Sequence, residues 1–176
     1  SPQNRKISRM AENLANMAKA LIKAAKGAGA DAADALVVEG QSVSIDVRAG
    51  ALEQAERAEG IDLGLRVLIG QRQAIVSFSD ANPDLFEGMA ERAVAMAREA
   101  PEDPYIGLAD PDQSAKDYDV DALEMFDPSA APSPAELQDD AMRCEAAALA
   151  VSGISQASGC GSGYGAPQVH LEMSHG

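Results

Sequence analysis

The chain has 176 residues, enough for one medium domain or two small ones, and about half of them are apolar. Lys and Arg number 14 against 28 Asp and Glu, a net charge of −14, and the imbalance repels nucleic-acid phosphates. Two cysteines, Cys144 and Cys160, are too few for a disulfide scaffold and are not spaced for metal, so both read as reduced thiols.

The charge is uneven. Residues 1–27 carry six Lys and Arg against one acid, whereas the rest carries eight bases and 27 acids. With only three Phe, three Tyr and no Trp, the core must rest on Ala, Val, Leu, Ile and Met. Arg5, Lys6 and Arg9 resemble the charged start of a signal peptide. Glu12, Asn13, Asn16, Lys19, Lys23 and Lys26 follow, so no apolar region completes one. No run has the length of a membrane span. A cytoplasmic protein without a membrane partner is expected. The opening on Ser1 suggests a trimmed start.

Ile7, Met10, Leu14, Met17, Leu21 and Ala25 recur every three or four residues and predict an amphipathic helix, stopped by Gly27 and Gly29. Lys19, Lys23 and Lys26 sit in its later turns, where positive charge suits the helix dipole. They are also the one electrostatic argument for nucleic acid, and no aromatic platform accompanies them.

Residues 34–79 read as strands. Ala35–Glu39 is a short β-branched run, and Gly40-Gln41 a turn. Val43, Ile45 and Val47 alternate with polar residues, and Ala49-Gly50 turns the chain. Leu52–Ala58 and Leu63–Ile69 follow, then Gly70-Gln71 and Ala74–Phe78. Connections this short predict antiparallel hairpins. Asn82 and Pro83 open a second helix with Leu85, Met89, Val94 and Met96 on its apolar side, ended by Pro101.

Residues 101–132 are acidic and hold Pro101, Pro104, Pro111, Pro128 and Pro132, the pattern of a linker. Tyr105, Ile106, Leu108, Leu123, Met125 and Phe126 should pin it to the protein. Ser133, Pro134 and Glu136 form a capping box for a third helix. Its inner face reads Leu137, Ala141, Cys144, Ala148 and Val151, and Gly153 closes it. Ile154–Ala157 and Val169–Met173 read as strands around the glycine-rich connection Gly159–Gly165. The reading is an α+β protein with helices on mostly antiparallel sheets. It comprises an N-terminal domain over 1–100, a linker over 101–132, and the start of a second, incomplete α+β domain over 133–176. A helix with so few strands closes no core alone, so the chain is expected to be the front of a longer protein.

No catalytic, metal or cofactor-binding residue emerges. His170 and His175 are five apart, which suits two ligands of one zinc neither on a helix nor on a strand. Asp110, Asp112 and Ser114 echo a calcium loop, but Ala115 stands where Gly is needed, Asp121 where a Glu is needed, and Pro111 opens no helix. Gly159–Gly163 is followed by a strand pattern rather than a helix N-terminus, so it cradles no phosphate. Cys144, on an inner helix face, should be inert. Gly161-Ser162-Gly163 lacks the strand-to-helix setting of a nucleophile elbow.

One ordered set of motifs goes further: Ser44 to Glu53 with Arg48, Gly50 and Leu52; Gly64 to Ala74 with Arg66, Val67, Gly70 and Arg72; Ser77, Ser79 and Asp80; Asp103-Pro104; Gly107 to Asp110; and Ser174-His175-Gly176. In this order the segments resemble the PmbA/TldD family, from about residue 30 to the end, and the PmbA (TldE) branch most. The resemblance implies a subunit of a cytosolic two-protein metallopeptidase that cleaves peptides and small unfolded proteins. It implies a zinc-bearing TldD-like partner whose zinc helix has no counterpart here, so zinc would lie in the partner or beyond residue 176. It also implies that this chain is the noncatalytic subunit. The alternative is a stand-alone peptide or protein interaction module. The open edge of an antiparallel sheet is the expected seat of an extended peptide.

Overall fold

A computed structural model describes residues 2–115, 119, 122–127 and 129–175, with side chains from residue 12 onward. Ile7, Met10, Arg5, Lys6 and Arg9 as side chains, and Ser1, Asp121, Pro128 and Gly176 altogether, lie outside the described residues. The elements are α1 (Pro2–Gly27), β1 (Ala32–Arg48), β2 (Ala51–Ile69), β3 (Arg72–Phe78), a 3-10 turn (Pro83–Leu85), α2 (Phe86–Glu99), α3 (Pro134–Leu149) and β4 (Cys160–Met173). The fold is α+β, with one sheet in the order β3-β2-β1-β4.

The chain divides into two compact units. One comprises residues 1–39, 60–118 and 168–176, the other 40–59 and 119–167. Each is built from separated segments of the chain.

In the first unit, alternation along β1 and β2 turns Ala33, Ala35, Val37, Leu63, Leu65 and Val67 to one face, where all are buried. Leu14, Met17, Ala18, Leu21 and Ala25 of α1 and Phe86, Ala90, Ala93, Val94 and Ala97 of α2 complete that core. β3 pairs antiparallel with β2 from Leu63↔Phe78 to Ile69↔Arg72. Phe78 meets Phe86 edge to face, with ring centroids 6.0 Å apart. Asn82 caps the 3-10 turn, its side chain accepting from the Asp84 amide. Leu85 of the 3-10 turn and Met96 of α2 are exposed; the alanines and Phe86 make the packed face of α2, because small side chains let it lie close on α1 and β3.

In the second unit, Ile45 and Val47 of β1 pack with Leu137 and Ala141 of α3, and Val43, Met142, Cys160 and Tyr164 close around them. The capping box of α3 is present in full. Hydrogen bonds from the Ser133 backbone and hydroxyl hold the Glu136 carboxyl below its ordinary pKa.

Several expectations are corrected. Gly40 is no turn: β1 runs straight through it, and a Cβ there would stand 3.1 Å from Pro167 Cα, so glycine serves close approach. The glycine-rich stretch is likewise strand rather than connection. A Cβ at Gly163 would stand 3.3 Å from the Val43 carbonyl oxygen, and one at Gly161 would meet the Asp46 carboxylate. Residues 154–157 form no strand; Gly153, at φ 92°, turns the chain out of α3, and Ile154 is exposed. On α3 the third buried position is Glu145, while Cys144 is exposed, as is Val151 past the helix end. Residues 137, 141 and 145 succeed one another at four-residue spacing, and the carboxylate finds backbone donors there. Tyr105, Leu123, Met125 and Phe126 are exposed rather than pinning residues. The segment after α2 is held by polar bonds, Asp103 N to the Gln71 carbonyl at 2.8 Å and Arg72 Nη1 to the Ala100 carbonyl at 2.6 Å.

Leu65 is fully buried at the centre of the first core. The variant Leu65→Ala should lower stability by about 2–5 kcal/mol. Urea unfolding followed by circular dichroism would read this as a lower midpoint with unchanged slope.

Candidate functional site

The described residues of the second unit form a three-strand segment in which β1 lies between β2 and β4. β3 pairs only with Leu63–Ile69, so residues 51–60 of β2 have no strand on their outer side among the described residues. All ten are exposed. β4 is the other outer strand.

Beside that free edge lies a groove of about 280 Å³. Val43, Ile45 and Tyr164 form its floor, Pro132 and Pro134 one wall, and Ala55, Glu56 and Arg57 the β2 side. The groove continues the apolar side of β1 past the start of α3, which covers Ile45 and Val47. Arg57 is oriented along the edge by Glu59, 2.5 Å away, and by Gln41 at 3.5 Å. A row of unpaired backbone groups next to an apolar trough can take an extended segment, with main-chain bonds for affinity and the trough for side chains.

The β1–β2 turn that sets this hairpin is fastened from α3. Ala49 and Gly50 both adopt positive φ, 52° and 72°, so their amides point the same way. The buried carboxylate of Glu145 accepts both, Oε1 from Ala49 N at 2.7 Å and Oε2 from Gly50 N at 2.8 Å. Glu145 is the functional-looking residue that sequence reasoning missed. The available signal was the four-residue spacing from Leu137 and Ala141, masked by the presumption that an acid faces water.

The two histidines make separate contacts. His170 Nε2 lies 2.9 Å from Glu172 Oε2, and His175 Nε2 donates to the Ala109 carbonyl at 2.8 Å. Ser174 is bound to Ala33 through both its amide and its hydroxyl. Asp110 and Gln113 close a turn on each other, the Gln113 side chain accepting from Asp110 N at 3.1 Å. Among the described residues no three His, Cys, Asp or Glu side chains gather to hold a metal. No helix of the described residues is long and apolar enough to cross a membrane.

The motif residues also act as fasteners. Arg66 pairs with Asp34 and reaches Gln73 Oε1 at 3.3 Å and the Gly107 carbonyl at 3.4 Å. Gly70 N donates to Asp31 Oδ2 at 2.7 Å, and Ser79 Oγ to Asp62 Oδ1 at 2.6 Å. Arg48 meets Glu53 at 3.5 Å in water.

Residues 33–97 match the family described as PmbA/TldA metallopeptidase domain 1. The metalloprotease PmbA of Escherichia coli O157:H7 is 32% identical over 119 residues, 68% of this chain and 26% of that protein. The chain thus spans about a quarter of the length of that relative. Its fold is similar to TldE from Thermococcus kodakarensis, with TM-score 0.67 and 18% identity over 91% of this chain and 35% of the other. It is also similar to a candidate modulator of DNA gyrase from Bacteroides thetaiotaomicron, with TM-score 0.62 and 20% identity over 92% of this chain and 36% of that one.

Replacing Glu145 with Ala should free the Ala49 and Gly50 amides and cost about 2 kcal/mol of stability. Hydrogen exchange should quicken at these two amides first. Unchanged exchange there would show that the clasp contributes nothing.

Proposed function

Since the chain belongs to the PmbA/TldD metallopeptidase family, we propose that it acts within a PmbA/TldE-like subunit of a two-protein cytosolic metallopeptidase. Its substrates are peptides and small unfolded proteins, and its partner is a TldD-like subunit that carries the zinc. In this reading the present chain is noncatalytic. It presents an extended stretch of substrate to the partner's metal.

The observation that carries the reading is the free ten-residue edge of β2 beside the Val43–Tyr164 groove, in a chain related to a metalloprotease. An unfolded peptide has its own backbone donors and acceptors unpaired. Adding it as a strand satisfies them without demanding a particular sequence, as a broad substrate range requires. Hydrolysis itself is assigned to no residue here. His170 and His175 are bound to different partners, and the residues described offer no set that fits zinc.

A second reading, a stand-alone interaction module, draws on the sheet face of the first unit opposite its helices. There Leu36 and Ile75 are exposed. Such a module would bind partners without any hydrolysis.

The test mixes the protein with a zinc-bearing TldD-like subunit and an unstructured peptide, with and without a chelator. Hydrolysis only in the mixture, abolished by the chelator, is expected. Chelator-sensitive hydrolysis by this protein alone overturns the noncatalytic role, and peptide binding without hydrolysis in any mixture favours the module. In parallel, amide resonances of residues 51–60 should shift on adding peptide. Shifts confined to other residues would reject the β2 edge as its seat.

A further inference from the structure

The groove beside β2 is apolar on one side and charged on the other. Val43, Ile45, Tyr164, Pro132 and Pro134 supply the apolar lining, and the prolines offer no N–H donor. Its charged residues, Glu56 and Arg57, stand next to each other on the β2 side. They are not equivalent. The Arg57 guanidinium is engaged, Nε donating to Glu59 Oε1 at 3.2 Å and Nη2 to Gln41 Oε1 at 3.5 Å. Towards the β1–β2 turn, Glu53 meets Arg48 at 3.5 Å. Among the described residues Glu56 is thus the one carboxylate of this edge without a cationic partner, and it is exposed. At about 280 Å³ the groove lies at the small end of ligand pockets, which run from about 300 to 1,000 Å³, so it fits one side chain rather than a whole small molecule.

We propose that this groove is a subsite for a lysine side chain of the extended peptide, with Glu56 as the residue that sets the preference. The inference rests on the proposed seating of substrate along the β2 edge, and it names the substrate class: flexible peptides with a basic residue where the chain passes the groove. Strand addition turns alternate side chains of the peptide to one face of the sheet, so one residue in two can enter.

Lysine matches both halves of the lining. Its four-carbon stem lies along Val43, Ile45 and Tyr164, while its ammonium stays in water at the rim and meets Glu56. An aliphatic side chain would fill the trough and leave Glu56 unanswered. An acidic one would face Glu56 and find the neighbouring cation, Arg57, already held by Glu59. Because Glu56 is exposed, its charge changes affinity only several-fold. That is a preference rather than a requirement, as a broad substrate range demands.

The experiment titrates the protein with four unstructured peptides that share a Gly/Ser/Thr frame and differ at one central residue: lysine, norleucine, serine or glutamate. Amide resonances of residues 51–60 and the ring resonances of Tyr164 report binding. All four should perturb the edge, with lysine binding about three- to fivefold more tightly than norleucine, its uncharged counterpart, and glutamate weakest. The advantage of lysine should shrink as salt is raised. In E56Q lysine should fall to the norleucine level while norleucine itself is unchanged, and E56K should move glutamate ahead of lysine. Equal affinities for lysine and norleucine, or a lysine preference that survives in E56Q, would overturn the subsite and leave the seating of peptide on the edge intact. No perturbation of residues 51–60 by any of the four would overturn the seating, and the subsite with it.

Discussion

The small-residue face of β1 and β2 is the constraint on which the first unit depends. Ala33, Ala35 and Val37 on one strand and Leu63, Leu65 and Val67 on the next leave a shallow, almost flat apolar surface. Only helices with small side chains can lie close to it, and α1 and α2 answer with Ala18, Ala25, Ala90, Ala93 and Ala97. Close approach substitutes for the aromatic bulk that the composition lacks, since dispersion contacts depend on how near the atoms come. Phe86 and Phe78 add an edge-to-face ring pair to this core. Once odd-numbered positions of β1 are committed to the core, the polar even-numbered Asp34 is turned to the other face, where Arg66 can reach it.

This arrangement was legible wherever periodicity and burial agree. The spacing of Leu14, Met17, Leu21 and Ala25 puts them on one helix face, and they are buried; the alternation at Leu63, Leu65 and Val67 is core. The Ser133–Glu136 box sits where its residue types place it, because a cap is a local interaction. What misled were residues whose local preference is overruled by a distant neighbour. Gly40 and the glycines of β4 look like turn formers, and only the other strand's proximity shows that the missing Cβ is what matters. Glu145 looks like a surface acid until two amides from residues almost a hundred positions earlier arrive at its carboxylate. Cys144 lost its inner position to that same pairing.

The motifs that carry the family resemblance belong to the same class of long-range fastening. Arg66 joins β1, β3 and the segment at Gly107; Arg72 holds the carbonyls at the end of α2; the Gly70 amide donates to Asp31. Each of these bonds satisfies a backbone or charged group. An ordered set of such fasteners is specific to a fold, which is why it identified the family. It names no chemistry, which is why no catalytic residue could be read from it. In the function proposed above, the site is what is left unfastened, the outer side of β2.

An exposed strand ten residues long is a hazard, because it also invites pairing between copies of the same chain. Its composition answers that hazard. Glu53, Glu56 and Glu59 lie along it with Arg57 as the lone base, in a chain already at −14. Two such edges brought together would repel each other. A flexible peptide of neutral or basic character meets no such barrier. The same acidity that argues against nucleic acid thus disfavours pairing of this edge with another copy of the chain, as the proposed binding of a peptide there requires.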